Sequence, residues 1–158
     1  MNIPPWLREP AIVLAARLLI SHEEAFGRPL LAGIEPSSNP RLAAQELFAA
    51  DLAVLAHDGA PDPCLVYANA TALRLWRRPW RDMVGLPSRL TAEPNERPAR
   101  AQALAAAQRH QALTGYQGIR MDSAGRRFQI AGARIWTVRD GGGEPRGQAA
   151  GFANWWWL

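Results

Sequence analysis

The sequence predicts an α+β domain: a five-stranded antiparallel sheet, a helical crossover on one face, and two N-terminal helices. Three observations carry that expectation. The apolar run Leu65-Val66-Tyr67-Ala68 ends at Asn69 and passes without a break into Ala72, Leu73 and Trp76, which are spaced for a helix. The Ala-rich stretch 97–112 predicts a long helix. After it, three strand-like segments are separated by Ser123-Ala124-Gly125 and by a glycine-rich loop. Two strands, a crossover and a three-stranded meander make an antiparallel α+β layer.

Each element has a local reason. Over 10–26, Pro10 suits a first helical turn and Ile12, Ala15, Ala16, Leu19 and Ile20 form an apolar stripe, with Gly27 as the stop. Residues 28–38 form a Gly, Pro and Ser connector. Asn39-Pro40 caps a second helix over about 40–50, with Leu42, Leu47 and Phe48 on its apolar side. Leu52 to His57 is the first strand and Cys64 to Ala68 its partner, joined by the turn Asp58 to Pro63. The helix of 70–77 is broken at Arg78-Pro79, and Trp80 to Val84 is one short turn ended by Gly85. Leu86 to Pro98 is a loop. Gly115 ends the long helix, and strands follow over 118–122, 127–138 and 147–157. The expected division is a helical extension over 1–50, covering the sheet or dimerising, and the sheet domain over 51–158.

Composition bounds the rest. With 158 residues, 48% hydrophobic and 20% charged, the chain is long enough for one well-filled core. All 18 positive residues are arginine, and the formal charge is +4. Codon bias accounts for the Arg content, and so mild a charge argues against a nucleic-acid partner. The interleaving of Arg74, Arg77, Arg78 and Arg81 with Trp76 and Trp80 reads as a solvated helix end. A single cysteine, Cys64, rules out an internal disulfide and reads as a small buried hydrophobe. The apolar run Ala11 to Ile20 is interrupted by Arg17 and lacks a cleavage site, so neither a leader nor a membrane span is expected, and the cytoplasm is the default location.

No catalytic constellation emerges. His57-Asp58 with Ser88 lacks a nucleophile elbow, and the Gly141-Gly142-Gly143 run lacks the lysine and helix of a phosphate loop. His22 and His57 have no partners at metal-ligand spacing. At the chain end, alternation places Phe152, Asn154 and Trp156 on one face and Ala153, Trp155 and Trp157 on the other. Both faces thus carry indoles, one for the crossover helices and one for the N-terminal helices or a second copy of the chain.

Several motifs are similar to one family. They are Tyr67-x-Asn69, Trp76, the run Gly85-Leu86-Pro87-Ser88-Arg89-Leu90-Thr91-Ala92-Glu93-Pro94, Gly115-Tyr116-x-Gly118-x-Arg120, Gly125-Arg126-Arg127-Phe128, Trp136, Gly147-Gln148-Ala149-Ala150 and the Trp-rich end. Over roughly residues 10 to 158 the chain resembles the MEKHLA domain, in its bacterial stand-alone form. The resemblance implies a PAS-like fold and a sensory or protein-interaction role. It supplies no reaction or catalytic residue, and the DNA-binding context of the plant members, which carry a homeodomain and zipper, does not transfer. The flavin photosensors of the PAS class need a cysteine in the region that here runs Gly85 to Leu90, where none stands, so a flavin adduct is not expected. His110 near the end of the long helix is the one haem ligand to consider, and it reads better as a helix-end cation.

The resulting expectation is a domain that binds a small organic ligand and changes a protein association. Asn69, Trp76, Arg89, Tyr116, Arg120, Phe128, Trp136 and Trp156 are its candidate wall residues. Arg89 and Arg120 are candidates for a ligand carboxylate, against the alternative of an internal Arg–Glu93 network with Thr91 capping the long helix. A ligand-free homodimerisation module is the alternative function, and a small enzyme using the same cavity is the third.

Overall fold

A computed structural model describes residues 2–110 and 112–158. Met1, the start of the expected extension, and Gln111, within the expected long helix, lie outside the described residues. In chain order the elements are α1 (Glu9–Phe26), α2 (Pro40–Ala49), β1 (Ala53–Asp58), β2 (Leu65–Ala68), α3 (Ala70–Trp76), α4 (Trp80–Met83), α5 (Arg97–His110), β3 (Ala112–Met121), β4 (Arg127–Arg139), β5 (Pro145–Phe152) and β6 (Asn154–Trp157). All pairings are antiparallel, in the order β2-β1-β5-β4-β3, with β6 also paired to β4.

The helix boundaries follow local chemistry. Gly27, at φ 71°, ends α1 by donating its N–H to the Glu23 carbonyl. The Asn39 side chain caps α2 by accepting from the Leu42 N–H at 3.2 Å. The apolar face of α2 differs from the expected one: Ala43, Ala44 and Leu47 are buried, while Leu42 in the first turn is exposed. The expected loop over 86–98 holds two 3₁₀ turns, Ser88–Thr91 and Pro94–Glu96.

The third strand begins at Ala112, six residues before the expected start. Gly115, read as a helix stop, sits inside β3 at φ 69°, where the register shifts between Leu113 and Tyr116. A positive-φ glycine serves a strand bulge as well as a helix end, and the sequence does not distinguish them.

The last strand is interrupted at Ala153. Its two parts keep one register against β4, with Arg134 opposite Gly151 and Ala131 opposite Asn154. Both strands nevertheless change side-chain parity at the break, where Gly132 takes φ 65°. Phe128, Ile130 and Ala133 therefore share the α3 side with Phe152 and Trp157, whereas Trp136 and Val138 face α1.

Both sheet faces are covered. On one, Leu18 and Leu19 of α1 and Leu47 of α2 pack with Val54, Tyr67 and Trp136. Trp136 donates its indole N–H to the Leu18 carbonyl at 3.2 Å, and Ser21 Oγ accepts from the Arg139 N–H at 2.9 Å. On the other, Leu75 and Trp76 of α3 and Met83 of α4 pack with Leu65, Phe128 and Phe152. Burying a side chain such as Trp76 or Trp136 contributes about 2–3 kcal/mol before entropy is counted. No described helix is long and apolar enough to cross a membrane.

Candidate functional site

The crossover helices leave a hollow over the second face. It is walled by Leu55 and His57 of β1, Leu65 of β2, Trp76 of α3, Arg100 and Leu104 of α5, Tyr116 and Arg120 of β3, Ile130, Ala133 and Ile135 of β4, and Gln148 and Phe152 of β5. Its volume is about 50 Å³, room for about three to five water molecules. Arg100 and Tyr116 in its wall are half-buried, while Arg120 is only 7% exposed.

Tyr116, Gly118 and Arg120 alternate along β3. Arg120 donates to the Tyr116 hydroxyl at 3.1 Å and to the Ile119 carbonyl at 3.0 Å, and its guanidinium lies 5.5 Å from the Tyr116 ring centroid. Arg100 reaches the same hollow from α5 and makes no hydrogen bond among the described residues. Burial first, and then the charge of Arg120, lower its pKa to about 10, so it stays a cation at neutral pH. The cavity lining includes no Asp or Glu.

His57 closes the floor. Its Nδ1 donates to the Asp58 carbonyl at 2.8 Å, and its buried Nε2 has no partner. Burial pushes its pKa down, so the neutral ring is favoured. The Gln148 amide donates to the Leu104 carbonyl at 2.9 Å and ties α5 to the sheet. The Trp76 indole N–H is committed to the Thr91 carbonyl at 3.3 Å, leaving its ring face to the hollow.

Of the expected wall residues, Trp76, Tyr116 and Arg120 line this cavity. The others lie elsewhere. Asn69 is fully buried as a backbone clamp: its Oδ1 accepts from Val54 N and Ala72 N, and its Nδ2 donates to the Leu47 and Leu52 carbonyls. Phe128 stands behind the wall, edge-on to Trp76 at 5.0 Å. Trp136 is on the opposite face because of the parity change at Gly132. Arg89 pairs with Asp62 on the surface, and the partner of Glu93 is Arg127. Trp156 is half exposed on β6.

Thr91 Oγ1 donates to the Ser88 carbonyl rather than capping α5. Cys64, expected to be buried, is half-buried beside Pro87 and outside the cavity lining, because β2 begins one residue later. His110 is exposed.

Sequence reasoning missed His57, Arg100, Leu104 and Gln148. The spacing of Arg100, Leu104 and Ala107 does mark one inward face of α5. An arginine in an Ala-rich helix gives no further sign of pointing inward.

Solved structures share this fold. An RNA-binding light-oxygen-voltage receptor matches at TM-score 0.64 and 24% identity, over 79% of this chain and 35% of the receptor. The chain thus spans about a third of that receptor's length. A PAS domain from Colwellia psychrerythraea matches at TM-score 0.62 and 12% identity, over 70% of this chain and 92% of the other. A light-oxygen-voltage domain studied with a flavin analogue matches at 0.58 and 18%, over 77% and 87%. The architecture is therefore PAS-like. No curated protein matches the chain. The family model described as the MEKHLA domain matches residues 12–157, nearly the whole chain, and the protein belongs to that family.

Proposed function

We propose that this protein is a cytoplasmic sensory domain that binds a small organic molecule in the hollow between α3, α5 and the sheet, and that occupancy alters a protein association. The observation that carries the reading is the convergence of Arg100, Arg120, Tyr116 and Trp76 on one largely apolar cavity. Apolar walls with a few oriented polar groups are the usual chemistry of a ligand site. Gln148 supplies a route outward, since it links the cavity wall to the backbone of α5.

Flavin, an analogue of which one structural neighbour was studied with, does not fit this cavity. The hollow of about 50 Å³ is far below the roughly 300–1,000 Å³ of drug-sized sites. Cys64 lies outside its lining.

A thermal-shift and native mass-spectrometry screen of the full chain tests the reading. Ligands should raise the melting temperature of the native chain, and Ala133→Leu, which fills the cavity, should abolish the shift. Shifts that persist in Ala133→Leu would place binding elsewhere.

A second reading, a homodimerisation module, draws on β6 and the residue after it, where Trp155, Trp156 and Leu158 are 36%, 50% and 58% exposed. An aromatic strand with that exposure is a docking edge for a second copy. Sedimentation velocity should then show a dimer that Trp156→Glu dissociates; a monomer at high concentration would dismiss it.

A further inference from the structure

We propose that the cavity selects a small monocarboxylate with an apolar body, seated by Arg100 and Arg120; this rests on the ligand-binding reading above. Two guanidiniums converge from α5 and β3, and among the described residues neither has a carboxylate within ion-pair distance. Arg89, Arg127 and Arg146 each have one, with Asp62, Glu93 and Asp140. An unpaired arginine at the surface is solvated by water, whereas Arg120, 7% exposed, and the half-buried Arg100 lack both a carboxylate and full solvation. Two like charges sharing a partly buried site repel one another, and an anion between them removes both the repulsion and the missing partner.

Donor geometry favours a carboxylate. Arg120 uses part of its five-donor fork on Tyr116 Oη and the Ile119 carbonyl, and the fork of Arg100 is unused. A planar guanidinium matches a planar carboxylate through two parallel bonds. The rest of the wall is largely apolar, with Leu55, Leu65, Leu104, Ile130, Ile135 and Phe152, and its Thr91 hydroxyl and Gln148 amide already donate to the Ser88 and Leu104 carbonyls. A phosphate dianion would leave oxygens unsolvated against it. The volume admits a body of about three to five non-hydrogen atoms. His57 Nε2, buried and unpartnered, adds an acceptor suited to a hydroxyl on that body.

Gly118 makes the seat. A Cβ there would stand 2.5 Å from Tyr116 Oη and 2.8 Å from Arg120 Nη1. The hydroxyl and guanidinium keep their positions only because that position carries a hydrogen.

The test is isothermal titration of the full chain with propionate, butyrate and 3-hydroxypropionate, their neutral amides, and inorganic phosphate. The acids should bind, and the amides and phosphate should bind at least tenfold more weakly. Arg100→Leu should weaken the acids by roughly ten- to a hundredfold, the loss expected for charged hydrogen bonds. Its circular dichroism should be unchanged, because Arg100 makes no hydrogen bond that folding depends on. Arg89→Ala, outside the cavity, should bind like the native chain.

Amides binding as tightly as acids, acids indifferent to Arg100→Leu, or phosphate binding in preference would overturn the carboxylate assignment and leave the ligand-binding reading standing. No binding by either series, with no hit among neutral compounds in the thermal screen, would end both.

Discussion

The Arg120 guanidinium meets the Tyr116 hydroxyl at 3.1 Å across the bare α-carbon of Gly118. Three alternate residues of one strand thereby build a donor cluster in the cavity wall. Gly118→Ala should cost about 1–3 kcal/mol by forcing the pair apart. Tyr116→Phe, which removes only an acceptor, should cost about 0.5–1.5 kcal/mol. Urea denaturation of both variants checks the order; equal losses would mean that Gly118 is not under steric demand.

Asn69 should matter for stability although it lies outside the cavity. It holds β1, the end of α2 and the first turn of α3 through four hydrogen bonds, three of them buried. Asn69→Ala strands those backbone groups, and a loss of about 3 kcal/mol or more is expected. A loss under about 1 kcal/mol by chemical denaturation would contradict the clamp role.

Acid should destabilise the fold through His22. This fully buried ring donates from Nδ1 to the Arg28 carbonyl at 3.1 Å and accepts at Nε2 from Arg134 at 3.2 Å, an arrangement only the neutral ring can make. Burial first, helped by the charges of Arg134 and Arg28, pushes its pKa down to about 4. Between that value and the ordinary 6.5, the unfolded chain binds a proton that the folded chain does not. Stability is therefore complete above about pH 7 and falls as pH drops through that window, by on the order of 2 kcal/mol. His22→Gln, which preserves one donor and one acceptor, should flatten the slope. His57, also lowered by burial, contributes the same sign and should leave a residual dependence.

Arg77 is the one described non-glycine residue at positive φ, 56°, where it closes α3 in the left-handed region. Its side chain is exposed. Relief of that strain, less the entropy a glycine loses, should make Arg77→Gly more stable by about 0.5–1 kcal/mol. A destabilised variant in thermal melts would show that the arginine side chain makes a contact worth more than the strain.

Much of the fold was legible in the chain, because period and punctuation are local. The Tyr67-x-Asn69 junction, the Asn39 cap and the Gly27 stop each depend on residues a few positions apart. Those signals sufficed for the α+β class, the order of elements and three cavity residues. Only the tertiary structure decided the faces beyond a bulge: the parity change at Gly132 and Ala153 put Trp136 against α1 and Phe128 behind Trp76, although strict alternation would align them. It also decided which arginines gained carboxylate partners. Arg89 and Arg100 look alike in sequence, yet one meets Asp62 at the surface and the other enters a hollow with no acid in its walls. Charge pairing depends on distances between remote segments, and local sequence does not encode those distances.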